Sequence, residues 1–544
     1  MIFLLSFLWF ISETKAILFW LYLWQLKEYH IGRFVDHFRT EKGKKIFFNY
    51  VLLLKIILVF IFLQFLLEPQ SPCQKYYSNL FLSYFLIVIY FSESIKGFSD
   101  FLKKKLKIPV STKKTVFLIF IIFLFQIFNF FSIFRKESFS FSLLIFDILT
   151  PAIVSGIVLM FQPFTALIRY QIIKKAKAKR KKFKDLIVIG ITGSYGKTST
   201  KEFLAEILSE KFRVLKTKEH QNSEVGISQC VLNDLKPEHE IFICEMGAYN
   251  KGGVKLLCDI AKPKIGILTG INEQHMATFG SQNNIIKTKF ELIESLPEDG
   301  LAIFNGNNVH CLQLYQITEK PKKICYNKFY TILDHVLLPD IWAEEVNIER
   351  NHISFKVFLK DGRQADFKVN LLGAQNIENI LMATCVAKEL GMNLDEISRA
   401  CQKIRPEQGG MKLLKGKNGL NILDSTYSAN PDGVFSHLEY LKIWQGRKAI
   451  VMPCLIELGK ASVEVHKRIG EKIGEICDLA IITTKDKFKE IKENAVQSGI
   501  KEKNILFLEN PKQIVEKIKT FCRPEDVILL EGRIPKEVID LLTK

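Results

Sequence analysis

The sequence lacks the cysteine pattern that would define a metal or disulfide framework. Its eleven cysteines are scattered, and none of them form a C-x-x-C pair. This implies neither a zinc site nor disulfides and favours small buried thiols in a reducing compartment. Ionisable residues are scarce inside the long apolar stretches of the first third, which contain Glu13, Lys15, Lys55 and Asp147. Because such residues mark transport paths, their scarcity argues against a transporter.

The first third of the 544 residues is rich in Phe, Leu and Ile. A spanning helix needs about 20 apolar residues. Five stretches come near that length, although the first contains charges and the third is short: Phe3–Trp24, Ile46–Leu67, Leu80–Phe91, Val116–Phe134 and Phe141–Phe161. No basic segment precedes the first stretch and no small-residue cleavage site follows it, which argues against a signal peptide. We predict an α-helical transmembrane region of about five helices over residues 1–165.

Much of the net charge of +19 lies in a few clusters. Lys and Arg gather in the loops after the first and third stretches, whereas the loops after the second and fourth are far less basic. The positive-inside rule then predicts a multi-pass cell-membrane protein with its N-terminus outside and everything after Phe161 in the cytoplasm. Between Gln171 and Lys184 eight residues are Lys or Arg. Nucleic acid could bind there, but a juxtamembrane linker on anionic membrane lipids, residues 166–185, is the simpler interpretation.

After Lys184 short apolar runs alternate with amphipathic stretches, which is typical of βαβ units and an α/β fold. The run Leu186–Ile191 leads into the glycine-rich segment Thr192–Thr200 (TGSYGKTST). Glycines and a helix N-terminus can cradle phosphate, Lys197 can reach the terminal phosphates, and the Thr198 hydroxyl can bind Mg²⁺. The alternative is a glycine turn that binds nothing. The segment predicts a P-loop ATP site.

Three later apolar runs are each followed by polar residues whose side chains can bind a ligand or a metal. Ile241–Cys244 precedes Glu245, Ile265–Leu268 precedes Asn272 and His275, and Leu301–Phe304 precedes Asn305. Ligands of open α/β sheets bind beyond the carboxyl ends of the strands, so these residues are expected to meet the P-loop at one edge. Singly, each could be a cap or a surface group.

A hinge is predicted at Arg405–Gly410, which has one proline and two glycines. Apolar runs again alternate with helical stretches beyond it. They are Leu420–Leu423, Ala449–Met452, Leu479–Ile482, Ile505–Leu508 and Val527–Leu530. We therefore predict a P-loop central domain over residues 186–404 and a Rossmann-like C-terminal domain over residues 405–544.

Ordered motifs over this region resemble the Mur ligases, and within them the type that adds D-alanyl-D-alanine to UDP-N-acetylmuramoyl-tripeptide. The motifs are Thr192–Thr200, Asn222–Gly226, Glu245–Ala248, Asn272–His275, Phe279–Ser281, Lys287–Glu291, Gly373–Asn379, Asp424–Pro431 and Glu457–Gly459 with His466. The resemblance implies an ATP-dependent amide ligase of peptidoglycan synthesis, in which ATP phosphorylates a peptide carboxylate and an amine attacks the acyl phosphate.

The resemblance also implies roles for individual residues. Catalysis would rest on Lys197, Glu245, His275 and Lys289. Mg²⁺ would be held by Thr198, Glu245, His275 and Lys289, the last at the position that the family carbamylates. The nucleotide would be bound by Gly193, Ser194, Gly196, Lys197, Thr198, Ser199, Asn305 and Asp424. A surface lysine and an asparagine-capped turn are the alternatives for Lys289 and Asn305.

Several departures from the family concern the substrates. The membrane segment occupies the place of the usual UDP-sugar-binding domain, so a lipid-linked acceptor is an alternative to the UDP-linked one. Four smaller departures lie mostly in or near the C-terminal domain: Gln375, Gly410, Met452–Leu455 and Glu531–Arg533. Rival hypotheses are a poly-γ-glutamate synthetase-like membrane ligase and, more distantly, a membrane ATPase or nucleotide sensor.

Overall fold

A computed structural model describes residues 1–67, 71–103, 105–134, 138–219, 221–327, 339–406, 410–416, 419–427 and 429–543. The chain forms two compact units, Met1–Ile168 and Arg169–Lys544. The first unit is helical, and the second is α/β, as the alternation of apolar runs predicts. Part of the predicted hinge, residues 407–409, lies outside the described residues.

The helical unit is built from long apolar helices, with two short helices between the first long helix and the second. Its helices are α1 (Ile2–Leu26), α2 (Ile31–His37), α3 (Glu41–Phe47), α4 (Tyr50–Leu67), α5 (Pro72–Leu102), α6 (Lys113–Ile133), α7 (Phe139–Met160) and the start of α8 (Gln162–Arg180). Large apolar side chains face outward, such as Phe128 and Phe131, which are 72% and 70% exposed. An exposed apolar surface of this kind suits a bilayer better than water.

Among the described residues, four helical segments are long and apolar enough to cross a membrane, compared with the five predicted spans. The second stretch forms a further apolar helix, the 18-residue α4, whose part Tyr50–Gln64 is shorter than these four segments. The Asn49 side chain caps the start of α4 by accepting a hydrogen bond from the Leu52 backbone amide at 2.8 Å. The third stretch, expected to be short, lies inside the 31-residue α5. The orientation inferred from five spans stays a prediction.

The basic run predicted as a lipid-contacting linker continues α8 as far as Arg180. Arg180 is buried and donates to the carbonyl oxygens of Ala261, Phe183 and Leu186. Lys179 donates to the carbonyl oxygens of Leu232 and Leu235. These two cations therefore make hydrogen bonds within the α/β unit, and lipid contact by the basic run stays a prediction.

The first sheet of the α/β unit has nine strands in the order β2-β3-β1-β4-β5-β6-β7-β8-β9. Strands β1 to β7 pair in parallel, and β7, β8 and β9 extend the sheet in antiparallel fashion. The strands are β1 (Ile187–Thr192), β2 (Val214–Lys216), β3 (Ile241–Glu245), β4 (Ile265–Leu268), β5 (Leu301–Asn305), β6 (Lys322–Asn327), β7 (Ile341–Ile348), β8 (Ile353–Leu359) and β9 (Gln364–Val369). The central strands are buried on both faces, which is why they appear as continuous apolar runs.

Helices cover both faces of this sheet. They are α9 (Lys197–Leu208), α10 (Glu224–Gln229), which continues into a π-helical turn (Cys230–Asp234), α11 (Gly253–Ala261), α12 (Met276–Phe279), α13 (Gln282–Glu294), α14 (Val309–Ile317), α15 (Gln375–Glu389) and α16 (Leu394–Cys401). One apolar core lies between the sheet and α9, α15 and α16. A second lies on the opposite face beneath α11 and α13. The carboxyl ends of the parallel strands are thereby held at one rigid edge.

A second sheet of six strands follows, in the order β10-β11-β15-β12-β13-β14. Apart from the antiparallel β10, its strands are parallel. The strands are β10 (Lys412–Lys415), β11 (Asn421–Ser425), β12 (Lys448–Met452), β13 (Leu479–Ile482), β14 (Ile505–Phe507) and β15 (Val527–Glu531), and the helices are α17 (Pro431–Leu441), α18 (Ser462–Ile476), α19 (Phe488–Gln497), α20 (Pro511–Phe521) and α21 (Lys536–Thr543). Strands β11 to β15 begin and end within two residues of the five predicted runs.

Candidate functional site

The glycine-rich segment turns sharply between β1 and α9. Gly193 and Gly196 have φ angles of 154° and 75°. A Cβ on Gly193 would lie 2.1 Å from the Thr269 hydroxyl, and one on Gly196 would lie 2.6 Å from the Asn379 side chain. Neither position can therefore hold a side chain without moving its neighbour. The amides of the first turn of α9 have no partner inside the helix, so the loop presents backbone donors to an anion.

Two side chains of the segment are held by backbone groups. The Lys197 ammonium donates to the carbonyl oxygens of Gly193 and Ser194, at 2.7 and 3.3 Å. The Ser194 hydroxyl accepts a hydrogen bond from the backbone amide of Asn272 at 3.2 Å, which connects the segment to the loop after β4. Ser199 lies in the first turn of α9. The Ser194 backbone amide already donates to the Gly270 carbonyl at 2.7 Å, so a nucleotide would meet Ser194 through its hydroxyl, which can still donate its proton.

Glu245, at the end of β3, is the centre of a polar network. The Thr198 hydroxyl donates to one carboxylate oxygen at 3.0 Å, and the Asn222 amide donates to the other at 3.2 Å. The Lys201 ammonium, 1% exposed, lies 3.4 Å from the same carboxylate. Hard oxygen ligands of this kind, a hydroxyl beside a carboxylate, suit Mg²⁺.

The charge of Glu245 is stabilised by its surroundings. Burial by itself raises the pKa of the carboxyl, but the ammoniums of Lys197 and Lys201 and the hydrogen bonds from Asn222 and Thr198 bring it below its ordinary value. Burial lowers the pKa of Lys197, and the Glu245 carboxylate opposes that effect. The pair therefore joins an anionic ligand for a metal to a cation that faces the glycine-rich loop.

His275 contacts a residue of the second sheet's domain. Its Nδ1 lies 2.6 Å from Glu457 Oε2, and its ring packs edge-on against Tyr249 with centroids 5.0 Å apart. Burial lowers the pKa of His275 against the opposing effect of Glu457, so the imidazole is neutral. With Nδ1–H donated to the carboxylate, the lone pair lies on Nε2, which is the arrangement of a carboxylate–histidine–metal triad.

Lys289, on α13, is buried, with 3% of its surface exposed. Burial and the nearby Lys197 ammonium lower the pKa of Lys289 to about 7. Its ammonium lies 6.0 Å from the centre of the Phe279 ring. The interpretation of Lys289 as an ordinary surface lysine is wrong, because the side chain lies inside the domain. Such an amine is largely neutral above about pH 7 and can act as a nucleophile.

The side chains of Asn305 and Asp424 each make hydrogen bonds with nearby residues. The Asn305 amide donates to the Thr269 carbonyl at 2.9 Å and to Glu378 at 2.6 Å, and its oxygen accepts from the Asn307 amide at 3.0 Å. The hydrogen bond from the Asn307 backbone amide forms the asparagine-capped turn, which is the alternative interpretation of Asn305. The Asp424 carboxylate, on β11, accepts from the amide and the hydroxyl of Thr426.

Contacts join the two sheets' domains beside this edge. The side-chain amide of Asn272 donates to the Asp432 carboxylate at 2.6 Å and to the Asn430 side-chain oxygen at 3.2 Å. The Ala277 amide donates to the Glu457 carbonyl at 3.1 Å. Arg468 lies 3.4 Å from Glu273. The C-terminal domain therefore rests on the loop that carries His275.

Sequence reasoning missed several of these residues as site members. Lys201 is one helical turn after Lys197 and looks like an ordinary helix lysine. Asn222 and Glu457 lie within motifs that resemble the Mur ligases, but the sequence indicates no role in the site for either residue. The sequence signal for Glu457 was its place in the Glu-Leu-Gly motif, whereas nothing local indicated that it would reach His275. Among the described residues, no three His, Cys, Asp or Glu side chains gather as a metal cluster.

Two departures from the family pattern place a side-chain oxygen in the interior. Gln375 donates to the Leu372 carbonyl at 3.3 Å, and its side-chain oxygen has no partner among the described residues. Glu531, fully buried at the end of β15, lies 2.7 Å from His437 Nδ1. Glu531 is therefore built into the interior, whereas Gln375 is half-buried.

Two family models match the chain. The Mur ligase middle domain matches residues 191–387, and the glutamate ligase domain of Mur ligases matches residues 409–534. Both matches lie in the α/β unit. The glycine-rich loop, Glu245, His275 and Lys289 fall within the first match, and Glu457 falls within the second.

Curated relatives and solved structures agree with these matches. The UDP-N-acetylmuramoyl-tripeptide--D-alanyl-D-alanine ligase of Bacillus subtilis is 28% identical over 350 residues, which are 63% of this chain and 72% of that protein. That of Synechocystis is 27% identical over 368 residues, or 67% and 75%. The MurF ligase of Thermotoga maritima in complex with ADP is 25% identical, with a TM-score of 0.58, over 69% of this chain and 83% of that chain. MurF from Acinetobacter baumannii, 22% identical, has a TM-score of 0.60 over 69% and 80%, and shows the same fold.

Proposed function

Because the chain belongs to the Mur ligase family, we propose that it is an ATP-dependent amide ligase that adds D-alanyl-D-alanine to UDP-N-acetylmuramoyl-tripeptide. The observation that carries the proposal is the network at Glu245. A buried carboxylate, a hydroxyl and a lysine meet there at the end of β3, directly beside the glycine-rich loop. The relatives that share the two matched domains supply the substrate class.

The proposed reaction follows from the charges at this edge. The γ-phosphoryl group passes from ATP to the peptide carboxylate and leaves ADP. The amine then attacks the acyl carbon and loses a proton, and inorganic phosphate leaves. Each step gathers negative charge, which cations and oriented donors must stabilise. Lys197, the Ser194 hydroxyl and the backbone of Gly193, Gly196 and Ser199 would bind the phosphates.

Two ion positions are proposed. Thr198 and Glu245 would hold one Mg²⁺, and their adjacent oxygens fit that role. His275, through Nε2, and Lys289 as a carbamate would hold a second, since an unmodified ammonium cannot bind a cation. A bound Mg²⁺ would neutralise phosphate oxygens. Asn305 and Asp424 remain the proposed nucleotide contacts, from the P-loop and Rossmann-like domains respectively.

The domain boundaries at residues 186–404 and 405–544 are part of the same proposal. The contacts from Asn272 to Asp432 and from His275 to Glu457 support a C-terminal domain that closes over the ATP edge. Closure would keep water from the acyl phosphate. The preceding residues 1–165, with helices able to span a membrane, are the proposed cell-membrane anchor, with the ligase domains in the cytoplasm.

The first test is phosphate release from ATP by the full-length protein in lipid nanodiscs. We expect release only when UDP-N-acetylmuramoyl-tripeptide and D-alanyl-D-alanine are supplied together, with a pentapeptide product by mass. Release from ATP alone would indicate a membrane ATPase instead and contradict the ligase proposal. Release that requires a different amine would retain the chemistry and reject the D-alanyl-D-alanine assignment.

A lipid-linked acceptor is the second candidate, and the four apolar helical segments favour it. The same assay distinguishes the two when UDP-linked and lipid-linked tripeptide are compared at equal concentration in the same nanodiscs. Preference for the lipid-linked substrate would assign the helical unit a part in substrate presentation. Equal or better use of the UDP-linked substrate would leave it as an anchor.

Carbamylation of Lys289 is expected to depend on pH. The neutral amine reacts with CO2, and the ammonium does not, so the carbamate should be lost as the pH falls below about 7, the lowered pKa of Lys289. Activity should therefore fall in CO2-depleted buffer and return with bicarbonate. ¹³C NMR of protein equilibrated with ¹³CO2 measures the carbamate directly. Lys289→Arg should remove the signal, whereas Lys287→Arg, an exposed lysine on the same helix, should retain it.

A further inference from the structure

The helical unit contains a charged cluster in its interior, to which each of its five long helices contributes. The Lys55 ammonium contacts Glu93 at 2.9 Å and Asp147 at 2.7 Å. The Ser12 hydroxyl donates to Glu93 at 2.7 Å. Glu13 accepts from Gln126 and Thr150, both at 2.5 Å. We refer to these residues as the polar cluster: Ser12, Glu13, Lys55, Tyr90, Glu93, Gln126, Asp147 and Thr150.

The cluster lies deep along the helices. At 1.5 Å per residue, Glu13, Gln126 and Asp147 each lie about 20 Å from the helix end that the loop charges assign to the cytoplasm. The hydrocarbon core of a bilayer is about 30 Å thick, so these residues would lie within it. Sequence reasoning missed Glu93 because the predicted third stretch stopped at Phe91, whereas α5 continues to Leu102.

The charges of the cluster do not balance. Three carboxylic acids, Glu13, Glu93 and Asp147, face one lysine, and that lysine already contacts two of them. The remaining carboxyl, on Glu13, faces only the neutral donors Gln126 and Thr150. An uncompensated carboxylate is strongly destabilised in a low-dielectric interior, so a positive charge is needed beside Glu13.

Unpartnered oxygen atoms point to the same conclusion independently. Glu13 is 2% exposed and Gln126 is 3% exposed. Glu13 Oε2 and Gln126 Oε1 are both buried without a hydrogen-bond partner in the described part of the chain. Both atoms are acceptors, and their residues are in contact through the other oxygen of Glu13. A proton or a small cation would satisfy acceptors, whereas an anion or another acceptor would not.

We propose that the polar cluster is a binding site for one monovalent cation at Glu13, either a proton or Na⁺, inside the helical unit. The cation supplies the charge that Lys55 cannot supply to Glu13. Glu93, whose side chain is 25% exposed, and Tyr90, which donates to Asp147 at 3.4 Å, complete the groups around it. Ionisable clusters of this kind line proton and ion paths in membrane proteins. The proposal is independent of the ligase function.

The test uses infrared spectroscopy of the full-length protein in nanodiscs. In Na⁺-free neutral buffer with choline as the salt cation, we expect a carbonyl band of a protonated carboxyl that Glu13→Gln removes. The matched control is Glu41→Gln, which changes a more exposed glutamate of the same unit and should leave the band unchanged. If Na⁺ replaces choline and the band disappears, Na⁺ is an occupant. If the band persists, the occupant is the proton.

A second measurement covers the case in which Glu13→Gln fails to fold. The apparent unfolding midpoint of the wild type, at a fixed heating rate, should rise with Na⁺ over choline or fall as the pH is raised. The second change is expected because the folded state would hold a proton that the unfolded state has released. A wild type with neither a protonated carboxyl band nor a Na⁺-dependent change would overturn the proposal and leave an ion-pair network that only packs the helices.

Discussion

Replacing Lys197 with alanine is expected to reduce the turnover of ligation by about 10²- to 10³-fold, as loss of one charge-stabilising group does in other enzymes. The Lys197 ammonium lies on the carbonyls of Gly193 and Ser194 and close to the charge of Glu245. It is therefore the cation positioned for the terminal phosphates. The measurement is single-turnover formation of ADP and pentapeptide with saturating substrates.

A loss of turnover in Lys197→Ala reports on the site only if the variant still folds. Lys255→Ala changes an exposed lysine of α11 and is the matched control, with turnover expected to be unchanged. The unfolding midpoint of Lys197→Ala should fall less than that of Glu245→Ala, since Lys201 remains beside the Glu245 carboxylate as a counter-charge. Turnover within a few fold of the wild type would contradict the assignment of the glycine-rich loop as the phosphate site.

Replacing Glu245 with alanine is expected to abolish ligation and to cost about 3–5 kcal/mol of unfolding free energy as well. The second effect arises because Lys201, 1% exposed, would lose a carboxylate at 3.4 Å while Lys197 loses its counter-charge. Glu245→Gln, which keeps the size and a hydrogen-bonding oxygen, should abolish ligation with a smaller loss of stability. Denaturant unfolding measures the difference.

A compensating variant tests the cause of this destabilisation. Lys201→Met in the Glu245→Ala background should recover part of the lost stability, because the buried Lys201 ammonium would otherwise keep only Glu202, at 3.2 Å, as its counter-charge. Glu210→Ala breaks the exposed pair with Lys403 and should cost about 1 kcal/mol or less. If Glu245→Ala proved as stable as Glu210→Ala, the structural role assigned to Glu245 would be wrong, whatever the effect on activity.

Local signals in the sequence predict much of the α/β unit. Continuous apolar runs give the strands because parallel strands are buried on both faces. The two glycines of Thr192–Thr200 stand where side chains cannot fit, and the runs before Glu245 and Asn305 end where β3 and β5 end. These features depend on residues within a few positions of one another, which a single sequence records.

Features that depend on distant residues could not be predicted. The burial of Lys201 follows from packing of α9 against the sheet, and the contact of Glu457 with His275 joins residues 182 positions apart. The antiparallel strands β7 to β9 alternate in burial and belong to the first sheet only through the pairing of β6 with β7. Likewise, the start of α4 is set by the Asn49 cap within an otherwise apolar stretch.

The contact between His275 and Glu457 has a thermodynamic consequence, because the two residues belong to different domains. A carboxylate on Nδ1 makes the imidazole a better metal ligand at Nε2. If an ion binds there as proposed, linkage requires reciprocity. Whatever factor domain docking adds to the ion's affinity, the ion adds to the docking equilibrium. Ion occupancy and the position of the C-terminal domain would then be two readings of a single coupled equilibrium.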